Sequence, residues 1–532
     1  MRLRPGVAAT PALAGLVALA GRVAVACGVT AVLLMAGVAV AGESAAEPGL
    51  GPRTLLPPWD AGLHPASWLV TLLLLIADGL GVLAVGLGLI AVREAGLLEA
   101  GLREAVQRPF RARRVALAGV AAVALLVVVP PLGSADHLSY AAYGRISAAG
   151  DDPYLVPPDR WHDGRDPVAG AVQPPWRSTP SVYGPVATAV QAVVAQAGGG
   201  SLRRTVWAWQ LVAGAAFLAA AALLDRLARG DRAARARAAV IWTLNPLLLR
   251  QLVLGAHLDV LAAALALGVI AAARRRPLVA GLLLGAAAGT KLPYAVAGVA
   301  AAWALRGMPA GRRLRHLVLA AVGALAVLVP AHLWAGPHVF DQLAAAGRMV
   351  SVATPWRAVR YLAERLVGAG TASSLITPLA GLLAVWVAVR LARRPPWMPS
   401  PGGAAPPEPG PEPDRAWVGE ASRAMVVLAG AWVLTAPYML PWYDALVWAP
   451  LALTGGSWLD GVLLARLLTL AVAYVPGRVV GMSPAVETVT LGVRRGVAPL
   501  VAVSVLVIVW WRTREGAPGT GPGRAPGAEG TP

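Results

Sequence analysis

Cysteine occurs once in this sequence, as Cys27 inside an apolar run, which leaves neither a disulfide framework nor a cysteine-based metal site. Lysine is as scarce: Lys291 is the only one among 46 basic residues. Charged residues of all kinds make up 14% of the 532 residues while 57% are hydrophobic, a balance outside that of soluble domains. No repeat of fixed period is visible, which weighs against the inverted-repeat architecture common among transporters. Clustered metal ligands are missing as well. His257 and Asp259 form a lone His-x-Asp without evident further ligands, so no metal and no cofactor is expected.

What the chain has instead is apolar runs, near 11–41, 66–92, 115–132, 205–224, 236–253, 256–273, 277–289, 293–305, 316–334, 372–392, 421–440, 443–455, 458–475 and 496–511. A bilayer crossing needs about 20 apolar residues in a helix, because backbone amides find no water there, and long unbroken runs exclude a barrel. The expected fold is an all-α polytopic membrane protein with about 14 transmembrane helices. A net charge of +19 would suggest nucleic acid in a soluble protein. Here the arginines sit in short connections at 93–114, 225–237, 274–276, 306–315 and 390–394, where they set orientation, so the partner is a lipid bilayer and nucleic acid is discounted.

The positive-inside rule makes those connections cytoplasmic. The count of crossings then closes if the shorter run 184–198 lies on the outer surface and 277–305 makes two short crossings meeting outside near Lys291 and Pro293. A single kinked helix over 277–305 is the competing reading. The first run is too long for a signal-peptide core and is expected to stay as an anchor. Segments 1–110 and 421–513 read as N- and C-terminal transmembrane parts around a core at 111–394, whose outer loop spans 133–204. The proline-rich 395–420 reads as a cytoplasmic linker, and 514–532 as a disordered tail of similar composition.

Between two apolar regions lies a polar island, Ser134 to Arg160, with Asp136, Tyr140, Tyr143, Arg145, Asp151, Asp152 and Tyr154. Asp136 reads as a general base held at a membrane surface, or as a solvated helix-end residue. On a helix the two tyrosines and Arg145 would offer an aromatic wall and a cation, and the Asp152-Pro153-Tyr154 turn would end that helix. Tyr183-Gly184-Pro185 reads as a helix start with proline in its first turn. His257 and Asp259 fall at an outer corner, either as a working pair or as an exposed loop pair.

Lys291 stands between two apolar segments, where a charge is costly without a partner. In so arginine-rich a sequence a retained lysine reads as a compact ammonium for a phosphate, with snorkelling to a headgroup as the alternative. Arg357, with Arg348 and Arg360, lies in an amphipathic outer stretch and either shares that task or holds lipid headgroups. Trp442, Tyr443 and Asp444 form an aromatic corner of the kind also found in interfacial belts.

Taken in order, Asp136 with SYAAYGR and DDPY, VYGP at 182–185, NPLLL at 245–249, GAHLD at 255–259, GTKLP at 289–293 and MLPWYDALVW at 439–448 resemble one family. It is the polyprenol-phosphomannose-dependent α-1,6-mannosyltransferases of actinomycete-type cell envelopes, integral-membrane glycosyltransferases of the GT-C class. The likeness runs from about 110 to 510. It implies inverting transfer of mannose from polyprenyl-phosphate mannose to an envelope glycan or glycolipid, on the outer face of the plasma membrane, with a catalytic carboxylate in the first large outer loop of the core. Asp136 matches that carboxylate. Where the family pattern has asparagine between the histidine and the aspartate, this chain has Leu258.

In this reading Lys291, Arg145 and Arg357 meet the donor phosphate. Tyr140, Tyr143, Asp152, Tyr154, Tyr183, His257, Asp259, Trp442, Tyr443 and Asp444 face the sugar and acceptor. Arabinofuranose, glucose or galactose would suit the same chemistry, and a lipid flippase or transporter is the reading from another class. Oligomeric state is not legible.

Overall fold

The structure is a computed structural model that describes residues 11–95, 111–397, 413–478 and 480–514. Among the described residues every regular element is a helix. In chain order the helices are α1 (Pro11–Ala41), α2 (Ser67–Ala95), α3 (Ala112–Val127), α4 (Asp136–Ala148), α5 (Pro185–Gly198), α6 (Leu202–Leu227), α7 (Arg232–Leu254), α8 (Asp259–Ala272), α9 (Pro277–Thr290) and α10 (Val296–Ala304). They continue as α11 (Ala310–Ala335), α12 (His338–Ala346), α13 (Trp356–Val367), α14 (Ala369–Arg393), α15 (Pro413–Thr435), α16 (Ala445–Leu451), α17 (Trp458–Ala473) and α18 (Pro484–Thr513).

Seven of these (α1, α2, α6, α11, α14, α15 and α18) are long and apolar enough to cross a bilayer, and α7 with α8 forms a bent pair that also qualifies. Only 6% of the apolar window of α11 is buried inside the protein, so its leucines and valines need a nonaqueous surround. The chain is an all-helical polytopic membrane protein. The other expected runs are present as shorter helices: α3 and α17 have 16 residues each, α9 has 14 and α10 has 9.

Helices meet through small residues, as bilayer packing favours. A Cβ on Gly281 or Gly285 of α9 would lie 2.1 Å from the Ala320 carbonyl oxygen or 2.6 Å from that of Ala324, on α11. The main core joins α1, α2, α6, α7, α8 and α15 to α17. Buried ion pairs pin it. Asp78 of α2 pairs with Arg250 of α7, both fully buried. Arg237 of α7 makes two 2.8 Å hydrogen bonds to Asp460 of α17 and a 2.7 Å one to the Thr454 carbonyl.

Asn245-Pro246 falls inside α7 without breaking its path. The Asn245 side chain accepts from the amides of Leu247 and Leu248 at 3.0 and 3.3 Å and donates to the Ile241 carbonyl at 3.0 Å. It thereby supplies the bonds that proline removes. At 255–258 the chain turns by 117° into α8.

Two boundaries differ from expectation. Helix α4 ends at Ala148, short of the Asp152-Pro153-Tyr154 turn, because Gly150 takes a left-handed φ of 93° and its amide closes on the Ser147 carbonyl at 3.1 Å. Helix α15 begins at Pro413, inside the expected 395–420 linker, since proline is tolerated in a first turn. The proline-rich 398–412, most of the connection 93–114 and the tail from 515 lie outside the described residues.

Candidate active site

Asp136 is the first residue of α4, and its backbone amide donates to Ser134 Oγ at 3.2 Å. Ser134 Oγ lies 2.9 Å from His257 Nε2, and His257 Nδ1 bonds the Gln251 carbonyl. A carbonyl only accepts, so Nδ1 carries the proton and Nε2 accepts the Ser134 hydroxyl. Gly255 makes this turn possible: a Cβ there would lie 2.7 Å from both the Gln251 oxygen and the imidazole. The turn is held from outside by Trp209, whose Nε1 donates to the Ala256 carbonyl at 2.7 Å. The His257 ring stacks on Trp442 at 3.6 Å between centroids and 12° between planes. Asp136 Oδ2 is 3.8 Å from His257 Nε2.

Lys291 follows α9 in extended backbone and sends Nζ to Asp259 Oδ1 at 2.7 Å, while the same ammonium lies 3.3 Å from the Tyr443 ring centroid. Tyr294 donates to the Asp259 carbonyl oxygen at 3.1 Å. The Val-Tyr-Gly-Pro start of α5 docks here through glycines. A Cβ on Gly184 would lie 2.1 Å from the Gly289 oxygen, and the Gly184 amide donates to the Thr290 carbonyl at 3.3 Å. Residues 136, 183, 257, 259, 291, 442 and 443, far apart in sequence, therefore surround one spot.

An aromatic wall completes it. Tyr140 packs edge-on against Tyr183 at 5.1 Å and tilts against Trp209 at 5.3 Å. Tyr143, one turn further along α4, faces Tyr183 at 6.1 Å and donates to the Thr179 carbonyl at 2.8 Å. Asp152 and Tyr154 stand further out. Asp152 accepts from the Tyr154 amide at 2.8 Å and meets His338 Nδ1 at 2.7 Å, and Gln342 donates to the Tyr154 carbonyl at 3.1 Å, so this turn seats α12.

Besides Asp152 and Tyr154, three expected contacts are not brought to the spot. Arg145 points off the opposite side of α4 and donates to Asp166 at 3.3 Å, because position 145 lies well round the helix from 140 and 143. Arg357 is exposed in the first turn of α13, with no side-chain partner among the described residues. Asp444 is buried and paired with Arg466 of α17, whose other amine meets Met439 Sδ at 3.0 Å. Nor are His257 and Asp259 an exposed loop pair: each is 1% exposed.

Burial of Asp136 pushes its carboxyl up to about 7; the nearby Lys291 ammonium pulls it down and the Asp259 carboxylate adds to the rise. The neighbouring His137 is wholly buried and pushed down to about 3 by burial and by Arg478, so it stays neutral. A carboxyl titrating near neutrality beside a fixed ammonium can take a proton from one group while the ammonium meets a negative charge on another. Among the described residues no cluster of three or more His, Cys, Asp or Glu could hold a metal ion.

Sequence reasoning missed Ser134, Gln251, Trp209 and Tyr294, which act through a hydroxyl, a carbonyl, an indole N–H and a phenol in otherwise apolar surroundings. For Ser134, Gln251 and Tyr294 the available signal was proximity to the quoted motifs; Trp209 had none.

The fold and the site together define a polytopic membrane protein with a buried carboxyl, ammonium and aromatic centre. The chain belongs to the family whose model is described as alpha-(1->6)-mannopyranosyltransferase, N-terminal domain, which residues 24–307 match. That span contains Asp136, His257, Asp259 and Lys291 but not Trp442 and Tyr443. Over 135 residues the chain is 31% identical to alpha-(1->6)-mannopyranosyltransferase B of Corynebacterium glutamicum; the match takes in 25% of this chain and 22% of the relative's length. No solved structure matches the chain.

Proposed function

We propose that this protein is an inverting membrane glycosyltransferase that moves mannose from a polyprenyl-phosphate donor to an envelope glycan or glycolipid, forming an α-1,6 linkage on the extracytoplasmic face of the plasma membrane. The observation that carries the reading is that Asp136, beside His257 on Trp442, and the Asp259–Lys291 pair, beneath Tyr443, come together at one buried spot. In the reaction an acceptor hydroxyl attacks the anomeric carbon as its proton passes to Asp136, and the bond from that carbon to the phosphate oxygen breaks. The departing polyprenyl phosphate takes the electron pair. Lys291 has three N–H donors; Asp259 takes one and the Tyr443 ring faces another, which leaves one to meet that phosphate.

Tyr140, Tyr183 and Trp442 offer ring faces and edges to a sugar. An apolar cavity of about 230 Å³ between α13, α14, α15, α17 and α18 supports a lipid-linked donor. Leu383, Leu434 and Leu470 line it, and Arg466, the partner of Asp444, stands in its wall.

The test is membranes carrying Asp136→Asn, incubated with polyprenyl-phosphate sugars one at a time and followed by linkage analysis. Turnover is expected with the mannose donor for the parent protein and to fall by about 100-fold or more in the variant at equal expression. Undiminished turnover in the variant overturns the role of Asp136, and transfer of a different sugar overturns the donor.

A further inference from the structure

This inference rests on the reading of Asp136 as the base. The Ser134 hydroxyl has one proton, and the acceptor it meets is His257 Nε2. Ser134 Oγ and Asp136 Oδ2 both lie within 3.8 Å of His257 Nε2, at 2.9 and 3.8 Å. With Nδ1–H committed to the Gln251 carbonyl, Nε2 is an acceptor and draws the Ser134 proton to itself. The Ser134 oxygen meanwhile accepts the Asp136 amide. The Asp136 carboxylate consequently receives no hydrogen bond from any described residue, although a hydroxyl stands two positions away.

We propose that His257 is a positioning residue that diverts the Ser134 hydroxyl from Asp136, leaving the carboxylate undonated and so a stronger base. A hydrogen bond to the charged form of a carboxyl lowers its pKa, so a free Ser134 hydroxyl would weaken Asp136. The ring is locked in the diverting orientation from three sides: Gln251 fixes its tautomer, Gly255 lets it fold onto the backbone, and Trp442 fixes its plane.

The other groups around Asp136 do not do this work. Lys291 lowers its pKa and Asp259 raises it, both through charge. His137 is neutral, with Arg478 behind it. The tyrosines that sense the Asp136 charge, at 140, 143 and 183 on the island side and 438, 443 and 474 opposite, hold their phenol protons more tightly than usual, chiefly through burial, and none of them donates a hydrogen bond to its carboxylate.

The test is the pH dependence of kcat/KM with polyprenyl-phosphate mannose, using the full chain in lipid nanodiscs. His257→Phe keeps a ring on Trp442 but has no acceptor. Its acidic midpoint is expected about one unit below that of the parent, since a hydrogen bond to a charged group favours the charged form by about tenfold or more. Adding Ser134→Ala should bring the midpoint back, because the freed donor is gone. Ser134→Ala alone should leave the midpoint in place, and His257→Gln, whose amide oxygen accepts, should match the parent.

Loss of folding or merely structural damage would not move the midpoint in one variant and restore it in the double one. An unmoved midpoint in His257→Phe, or an upward shift of about one unit in Ser134→Ala alone, overturns the proposal. If either occurs while Asp136→Asn is inactive, the base assignment stands and only the role of His257 falls. If Asp136→Asn is active, the base assignment itself has failed.

Discussion

At the scale of single residues, the site is governed by how few charges share a largely buried space. As the proposed base, Asp136 would work in its deprotonated form, so kcat/KM is expected to rise with pH through a midpoint of about 7 and level off above it, as a pH–rate profile would read. Lys291→Met removes the cation and strands the Asp259 carboxylate. Transfer should fall by about 100- to 1,000-fold, and thermal unfolding in detergent should come at a lower temperature. Pairing it with Asp259→Asn should recover stability without recovering transfer, which separates the two roles of the ammonium. Lys291 was legible in the sequence because an isolated charge among apolar residues demands a reason, and Asp136 because it heads a polar island between two apolar regions. Ser134 and Gln251 were not, since a serine and a backbone carbonyl carry no such signal until the turn at 255–258 folds over them. Arg145 misled because residue type was visible while helical phase relative to the wall was not.

Among the elements, the docking of α5 on α9 decides where Lys291 stands. Gly184→Val would drive a side chain into the Gly289 carbonyl, and overpacking of this kind costs about 1–3 kcal/mol. The variant is expected to lose both thermal stability and transfer, measured together, while Gly311→Val, which meets open space, should leave transfer near the parent level. The start of α5 was legible from its proline. The end of α4 was hidden, because a single left-handed glycine stops the helix before the more conspicuous proline. Hydropathy located the apolar runs, yet the short lengths of α9 and α10 depend on where Lys291 finds Asp259, a contact across 32 positions.

Across the whole molecule, the loop 42–65, the polar island and the 476–478 segment are tied together on the side where α6 begins. Arg478 donates to the carbonyls of Ser44 and Glu47 and, at 3.0 Å, to Gln173, while Leu50, Trp161 and Val206 share a small core. Inside this clasp burial, reinforced by Asp60, pushes the Glu47 carboxyl up to about 9. A folded pKa above the unfolded one means that the folded state holds the proton more tightly. Stability is therefore full below the unfolded value and declines as pH rises toward 9. Glu47→Gln is expected to be more stable than the parent at pH 8 by up to about 5 kcal/mol, with little difference at pH 4.

Orientation can be read in the same way. With Cys27 replaced by alanine, a cysteine at the exposed Asp163 should react with an impermeant maleimide in intact cells, and one at Arg229, beyond the other end of α6, only after lysis. The opposite pattern would invert the assignment of faces.

A sequence with a single side-chain amine, placed against Asp259 and Tyr443, also carries its own chemical reporter. Acylating reagents that seek lysine have one internal target here. The rate at which that nitrogen is modified, and its slowing when a phosphate-bearing lipid occupies the centre, would register occupancy directly without any engineered label.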